Sequence, residues 1–253
     1  MPTYNATGIA LGAHKFGDAA RVVTFFTVER GKVEATARGI GKPGSRLAAA
    51  VEPFTVSRLQ LVEGRDLDKL TQAEVVEAFL PLRQDMRRYA HAAAVLEITD
   101  RTTEPGHPVP GLFEELVAAL RAMATGTDSE LAFWAYTLRL LHSQGSAPVT
   151  ECCVHCGGEM TAQVCHLPSE GGFVCRECSP QSEGRAQVSG AAIGALRALG
   201  TLPLDRLGRL TLNAETRRDV SRIIRAHLAY HVTDELRSLK FLDKVTRGLP
   251  SAG

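Results

Sequence analysis

Residues 21–38 read RVVTFFTVERGKVEATAR and predict a β-hairpin. Residues 21–28 are rich in β-branched and aromatic side chains, which is typical of a strand. Glu29-Arg30-Gly31 follows, and its glycine tolerates the positive φ that a tight turn requires. Residues 32–38 then alternate Val33, Ala35 and Ala37 with polar residues, as a strand with one buried face does. The hairpin is the centre from which the rest of the N-terminal fold is predicted.

Further strand patterns lie on both sides of this hairpin. Residues 7–11 form a short apolar run, residues 54–62 (FTVSRLQLV) alternate, and residues 70–79 (LTQAEVVEAF) fit a strand less clearly because Ala and Glu also favour helix. Residues 39–45 (GIGKPGS) read as a loop. Five strands with turns at this spacing predict a small closed barrel of the OB type.

The hydrophobic period changes to three and four residues from about residue 81, which indicates helices. Leu82, Met86, Tyr89, Ala93 and Leu96 mark the first helical face. A long helix is expected to begin near Asn213, a suitable N-cap, with an apolar face that runs to His231. The predicted class is α+β, with an OB-fold at 1–80, a helical domain at 81–149 plus 184–247, an inserted zinc-binding module at 150–183 and a tail at 248–253.

The six cysteines all lie between residues 152 and 178. Cys153 and Cys156 form one C-x2-C pair, Cys175 and Cys178 form another, and 18 residues separate the pairs. This spacing predicts a four-cysteine zinc site, in which each pair chelates through a tight turn. Four cysteines complete the coordination of zinc, so we expect a structural site without a position for a catalytic water. Cys152, Cys165 and His166 are expected to lie outside the ligand set.

Composition excludes several classes of protein. The chain has 253 residues, of which 44% are hydrophobic and 23% charged, which argues against global disorder. No apolar run approaches the ~20 residues that span a bilayer, and the N-terminus lacks the pattern of a secretory signal. We therefore expect a cytoplasmic protein with no membrane partner.

The net charge of +1 conceals two basic ends. Residues 1–50 carry seven Lys/Arg against three Asp/Glu, and residues 185–253 carry twelve against six. In the first segment the basic residues concentrate on the hairpin and the loop after it, and they are candidate phosphate contacts: Arg21, Lys32, Arg38, Lys42 and Arg46. Phe25 and Phe26 are adjacent, so one could pack in the core and the other could stack on a base. Arg218, Arg222 and Arg225 form a second cationic stripe, for which simple solvation is the default interpretation.

The order of these motifs resembles the RecO family of bacterial recombinational repair proteins. The resemblance is carried by residues 7–10 and 26–32, Ala37-Arg-Gly, Lys42-Pro-Gly-Ser, the Cys-x-x-Cys-Gly-Gly at 153–158, the Gly-Gly-Phe-Val-Cys-x-x-Cys at 171–178, and the Tyr-His at 230–231 followed by residues 236–242. It covers nearly the whole chain.

The resemblance implies an N-terminal OB-fold, a helical domain with a zinc module, and no catalytic activity. It implies binding to single- and double-stranded DNA and annealing of complementary strands. It also implies that the protein acts together with RecR, and sometimes with RecF. Together they would act on DNA coated by single-strand-binding protein and help to load RecA onto it. The implied location is the bacterial cytoplasm, at the nucleoid during repair. It assigns DNA contacts to Lys32, Arg38, Lys42 and Arg46, with Arg21 less surely, and zinc to the four paired cysteines.

Two other functions are compatible with parts of the sequence. A zinc-ribbon scaffold for protein partners would have the cysteine module and no intrinsic DNA affinity. A zinc-dependent nucleic-acid hydrolase would need an open metal position or paired carboxylates, and Asp66 and Asp68 are the nearest candidates.

Overall fold

The structure is a computed structural model that describes residues 2–16, 20–40, 45–160, 164–179, 187–232 and 236–248. Two compact units divide the chain, one of Met1–Ser129 with Leu236–Gly253 and the other of Glu130–Glu235. The first unit therefore holds helical segments as well as the barrel. The predicted domain boundaries, which follow fold type rather than packing, stay a prediction.

A closed five-stranded barrel forms the first part of unit one, as predicted. Its strands are β1 (Thr3–Phe16), β2 (Ala20–Thr27), β3 (Gly31–Arg38), β4 (Thr55–Val62) and β5 (Asp68–Ala78), in the order β1-β2-β3-β5-β4. Neighbouring strands pair antiparallel except β3 and β5, which pair in parallel. The ambiguous segment at 70–79 is thus confirmed as a strand.

Side chains that alternate along the strands fill the barrel interior. Val23 and Phe25 of β2 are fully buried there together with Leu59 and Leu61 of β4. A short helix, α1 (Arg46–Ala50), was missed by the sequence analysis because five residues show no helical period. The side chain of Leu47 packs against this interior cluster, so α1 covers part of the barrel core.

The turn between β2 and β3 shows why glycine is required at its end. Gly31 has a φ of +62°, which side chains rarely adopt. A Cβ at this position would also collide with the backbone carbonyl of His107, and the Gly106 N–H donates to the Lys32 carbonyl at 2.9 Å. The turn therefore packs directly on the segment that follows the first long helix.

Four helices complete unit one: α2 (Pro81–Gln84), α3 (Met86–Thr102), α4 (Leu112–Ala124) and α8 (Arg237–Gly248). The expected face of α3 is partly wrong, since Met86 is 58% exposed while Ala90, His91 and Ile98 are buried. Met86 is the first residue of the helix, next to the N-cap Asp85, and so precedes the turns that pack. Glu97 of α3 accepts hydrogen bonds from the first backbone N–H groups of α8.

Unit two contains three long helices around the cysteine segment. They are α5 (Ser129–Ser143), which begins at the last residue of unit one, α6 (Gly190–Thr201) and α7 (Ala214–His231). Asn213 is the N-cap of α7, as predicted, and its side chain accepts from the Thr216 N–H at 2.8 Å. His231 is exposed, so the apolar face of α7 ends at Leu228. A three-stranded sheet lies within the segment, with β6 (Val164–Leu167) between β7 (Gly172–Val174) and β8 (Gln187–Val188).

None of the helices among the described residues has the length and apolar character needed to cross a membrane.

The barrel interior yields a stability prediction. Phe25 is 0% exposed, and its side chain belongs to the cluster that fills the barrel interior. Replacing it by alanine removes the whole phenyl ring and leaves a cavity, so Phe25→Ala should lower the free energy of unfolding by about 3–5 kcal/mol. The measurement is urea denaturation followed by circular dichroism.

The matched control is Val76→Ala. Val76 is on β5 and is 51% exposed, so its truncation should change the free energy of unfolding by no more than about 0.5 kcal/mol. Equal midpoints for Phe25→Ala and the wild type would refute the assignment of Phe25 to the core.

Candidate nucleic-acid interface and metal centre

β1 continues beyond its last pairing with β4 as an extended strand that stays paired with β2. β1 pairs with β4 from Thr3 to Ile9, but it pairs with β2 from Gly8 to Phe16. A register shift between Ala10 and Gly12 marks a bulge where the two stretches meet, and bulges bend a strand. Residues 12–16 are all exposed. We call residues 12–16, 20–24 and 34–38 the ribbon, since β3 accompanies β2 along this length. Its exposed residues are those of 12–16 together with Arg21, Glu34 and Arg38, whereas Val23, Ala35 and Ala37 belong to the barrel core.

Three exposed cations lie at the free end of the ribbon. Lys15 is directly opposite Arg21, so the two side chains share one face. Arg38 is opposite Ala20 and lies on the other face, in a row with Phe16. None of the three cations forms an ion pair within the described part of the chain, and Glu34 is the one carboxylate among the described ribbon residues. Among the described residues, the end of the ribbon therefore presents cations on both faces.

Lys32 does not belong to this surface. It lies at the opposite end of β3 from Arg38, and its side chain is only 14% exposed. Its Nζ donates to the Asp100 carbonyl at 2.6 Å and is 3.4 Å from a carboxylate oxygen of the same residue. An ammonium at the last turn of α3 is favoured by the negative end of the helix dipole. The Lys32 cation is thus engaged inside unit one, and the expected basic cluster is divided.

The other two predicted contacts are only partly described. Lys42 lies outside the described residues, and Arg46 is the first residue of α1. Lys15 was missed by the sequence analysis, because the first strand was expected to end at residue 11. Continued pairing of residues 12–16 with β2 carries Lys15 into the ribbon.

Both phenylalanines considered for base stacking are buried. Phe25 is 0% exposed in the barrel interior. Phe26 is 1% exposed on the opposite face of β2, where its ring lies 6.2 Å from that of Phe113 on α4. Core packing accounts for both, and neither ring is available to a nucleic acid.

The four predicted metal ligands converge in unit two. The Sγ atoms of Cys153, Cys156, Cys175 and Cys178 all lie within 4.8 Å of one another. The Sγ atoms of Cys156 and Cys175 are 3.9 Å apart. A tetrahedral zinc with Zn–S bonds of ~2.3 Å separates its sulfurs by roughly 3.8 Å. The cluster is therefore near zinc-binding distance, and its donor set is one that zinc prefers.

Backbone turns hold the cysteines in place. The Gly157 N–H donates to the Cys153 carbonyl at 2.9 Å, and Gly157 adopts a φ of +70°. The Cys175 N–H donates to the Cys153 sulfur at 3.3 Å, and the Val154 N–H donates to the Phe173 carbonyl at 2.9 Å. These bonds join the first cysteine turn to β7, so the two pairs are positioned by one hydrogen-bonded frame.

The electrostatics of the cluster favour a bound cation. Burial alone raises the pKa of the Cys153 thiol, but backbone N–H groups of Cys156, Cys175 and His155 outweigh it and lower that pKa to about 6. Hydrogen bonds to Cys175 and Cys156 raise the pKa of Cys178 to about 12. The cluster thus readily holds one thiolate, whereas four adjacent thiolates need a divalent cation to offset their charge.

The neighbouring candidate ligands lie outside the cluster, as predicted. Cys165 is in β6 opposite Val174, and its sulfur accepts from the Ser179 hydroxyl at 3.2 Å. His166 faces His227, with 3.3 Å between Nε2 and Nδ1, and burial lowers the pKa of His166 to about 4.

The paired aspartates considered for catalysis are not arranged as a metal site. The Asp68 carboxylate accepts from the Tyr4 hydroxyl and from the Gly64 N–H, the latter at 2.9 Å. The four cysteines are the one group of potential metal ligands found among the described residues.

The second cationic stripe lines a groove of about 520 Å³ in unit two. Arg218, Arg222 and Arg225 contribute to it, as their helical spacing predicted. Carboxylates already engage part of this set, since Arg222 lies 2.9 Å from Asp219 and Arg217 lies 2.9 Å from Glu130. The groove is therefore less cationic than its arginines alone suggest.

Comparison with known proteins identifies the family. The family model described as "Recombination protein O N terminal" matches residues 1–79, and "Recombination protein O C terminal" matches residues 83–240. The chain is 36% identical over 253 residues to "DNA repair protein RecO" of Pelotomaculum thermopropionicum, with 100% of this chain and 98% of that protein covered.

Two further relatives have the same name. That of Nocardioides sp. is 36% identical over 248 residues, with 95% of this chain and 99% of that protein covered. That of Symbiobacterium thermophilum is 34% identical, with 96% and 98% covered. The two family models together match most of the chain, and the relatives match it over nearly its full length. The chain therefore belongs to the RecO family of DNA repair proteins.

Proposed function

We propose that this chain is a DNA-binding recombination mediator. It binds single- and double-stranded DNA, anneals complementary strands and, with RecR, helps load RecA onto DNA coated by single-strand-binding protein, with RecF as a further partner. The supporting observation is the ribbon, whose exposed Lys15, Arg21 and Arg38 form no ion pair with any residue that the structure describes, on an OB-type barrel in a chain of the RecO family.

The mechanism follows from the two faces of the ribbon. Lys15 and Arg21 lie on one face and Arg38 lies on the other, so cations can approach phosphates from both sides. Two complementary strands repel each other through their phosphates, and cations placed between them lower that repulsion. Base pairing then supplies the driving force. No nucleotide hydrolysis is needed, and we propose that the chain has no catalytic activity and works in the bacterial cytoplasm, at the nucleoid.

The assignment of phosphate contacts follows the ribbon. On the ribbon we assign phosphate contacts to Arg21 and Arg38, and Lys15 joins them because it is opposite Arg21. Lys42 and Arg46 lie outside the ribbon and stay proposed contacts on the family resemblance alone. Lys32 instead is a positioning residue, since it ties the start of β3 to the end of α3 through Asp100.

We also propose that the four cysteines hold zinc in a structural role. Cys153, Cys156, Cys175 and Cys178 would complete its coordination, and the ion would supply charge compensation and a cross-link. β6 and β7 of this module have only four and three residues, so they bury little apolar surface on their own. Metal binding then contributes directly to the folding of the module.

Charge reversal on the ribbon tests the DNA-binding assignment. The double variant Arg21→Glu/Arg38→Glu should bind single-stranded oligonucleotides about 10- to 100-fold more weakly near 0.1 M salt. The slope of log affinity against log salt should become shallower by about 1.4, because two phosphate contacts are lost at ~0.7 each. Fluorescence anisotropy over a salt series measures both quantities.

Arg58→Glu is the matched control. Arg58 lies on β4, its side chain is 71% exposed, and it pairs with Glu74 on the barrel away from the ribbon. Its reversal should leave affinity and slope near those of the wild type. A double variant that binds as the wild type does would refute the ribbon as the phosphate site.

Annealing is the activity that follows from the proposal. The purified protein should accelerate pairing of complementary single strands without ATP, and the acceleration should fade as salt rises, because phosphate contacts are screened. A fluorescence-quenching annealing assay measures the rate, with strands bare or coated by single-strand-binding protein.

Gel analysis of the same strands separates the other functions. Intact strands agree with a mediator, whereas shortened strands would indicate a hydrolase. No acceleration and no DNA binding would indicate a scaffold for protein partners.

Metal analysis tests the zinc assignment. The wild type should contain one zinc per chain, and Cys175→Ser should lose it, because a serine hydroxyl does not replace a thiolate ligand. Loss of the metal should expose residues 150–183 to limited proteolysis. Elemental analysis and mass spectrometry of the fragments provide the measurements.

Cys152→Ser is the control, since Cys152 adjoins the first pair but lies outside the cluster. It should retain zinc. A wild-type protein purified without zinc, and with the module resistant to protease, would contradict a metal-dependent fold.

A further inference from the structure

Phe16 is an unusual phenylalanine in this chain. The chain has nine phenylalanines, and seven of them are buried. Phe241 is 36% exposed but rests edge-on against Tyr89, with 6.3 Å between ring centroids. Phe16 is 51% exposed and has no ring contact among the described residues. It is the last residue of β1, at the free end of the cationic ribbon.

The neighbours of Phe16 distinguish it from an isolated exposed apolar residue. Phe16 is opposite Ala20, and Ala20 is opposite Arg38, so the three side chains form one row across the ribbon. The backbones of Phe16 and Arg38 are two strand spacings apart, roughly 9.5 Å. The small Ala20 lies between the two side chains, and none of the described cations makes a cation–π contact with Phe16. The row therefore presents an aromatic ring, a small side chain and a cation.

This row matches the chemistry of one unpaired nucleotide. A nucleotide carries a flat base and an anionic phosphate, and proteins that bind single strands combine aromatic platforms with cations along the backbone. An aromatic ring stacks on any base, because every base has a π-face. With Phe25 and Phe26 buried, Phe16 is the described phenylalanine on the ribbon that can take this role.

We propose that Phe16 stacks on an unpaired base while Arg38 contacts a phosphate of the same strand, which gives the ribbon a preference for single-stranded over double-stranded DNA. The inference rests on the proposed function, since it deepens the DNA-binding role of the ribbon. Duplex bases are already stacked on their neighbours, so Phe16 gains a base there only after costly unstacking. A neutral ring displaces no counterions, so its contribution leaves the salt slope unchanged.

Phe16→Trp tests stacking directly. The chain has one native tryptophan, Trp134, which is 2% exposed, so a new indole at position 16 reports on the ribbon. Its emission should be quenched when single-stranded oligothymidine saturates the protein, and much less by a hairpin duplex. The control is Val76→Trp, at a position on β5 with the same 51% exposure, whose emission should not change. Unchanged emission of Phe16→Trp at saturating single strand would overturn the proposal.

Affinity provides the second readout. Phe16→Ala should weaken single-strand binding roughly 5- to 150-fold with an unchanged salt slope, and duplex binding should stay within about twofold. Phe16→Leu, which is apolar but has no π-face, should resemble alanine. Val76→Ala should bind as the wild type does. An equal loss for single strand and duplex would overturn the stacking role, as would full single-strand affinity in Phe16→Ala.

The charge-reversal variant distinguishes failure of the stacking inference from failure of the DNA-binding proposal on which it rests. If Arg21→Glu/Arg38→Glu loses binding while Phe16→Ala keeps it, the stacking inference fails and the DNA-binding proposal stands. If neither change affects binding, both fail.

Discussion

The pairing of β1 with two different partners is the constraint on which the first unit depends. Over Thr3–Ile9 the strand is hydrogen-bonded to β4 and closes the barrel, and from Gly8 onward it is hydrogen-bonded to β2. Where β4 stops, no described strand pairs with that edge of β1, and residues 12–16 are exposed. The same strand therefore supplies a wall of the core at its start and a charged surface at its end. The bulge near Ala10 is where one role changes to the other.

The barrel and the cysteine module are both small, and different interactions stabilise them. The barrel buries large side chains such as Phe25 and Leu61 from several strands, and burial of apolar surface stabilises it. The module has strands too short to do this, and its buried cluster consists largely of cysteines. Convergent sulfurs and a shared frame of backbone hydrogen bonds replace the missing side chains there. Under the proposed zinc assignment, a cation bound between the sulfurs would stabilise the module as a hydrophobic core stabilises the barrel.

Patterns that are local in the sequence were predictable, and contacts between distant residues were not. The barrel strands follow from alternation at 21–38 and 54–62, and the four sulfurs follow from C-x2-C spacing. Lys32 and Arg38 are both basic residues at the ends of β3, and the local sequence does not distinguish them. The ammonium of Lys32 nevertheless donates to Asp100, which is 68 residues away in the chain. Phe26 is outward-facing by strand parity but is covered by Phe113 of α4. The extension of β1 to Phe16 depends on pairing with β2 rather than on hydrophobicity, so it left a weak signal.

The return of α8 to the first unit has a consequence for how the chain is made. Leu242 and Val245 of α8 are buried with Ala90 of α3, and Glu97 holds the first turn of α8. Residues 103–236 are synthesised between α3 and α8. At ~5–20 residues per second, the surface of α3 that packs on α8 therefore stays uncovered for about 7–27 s. The first unit to emerge from the ribosome is therefore the last to be completed, and a chain released early would keep that apolar surface exposed.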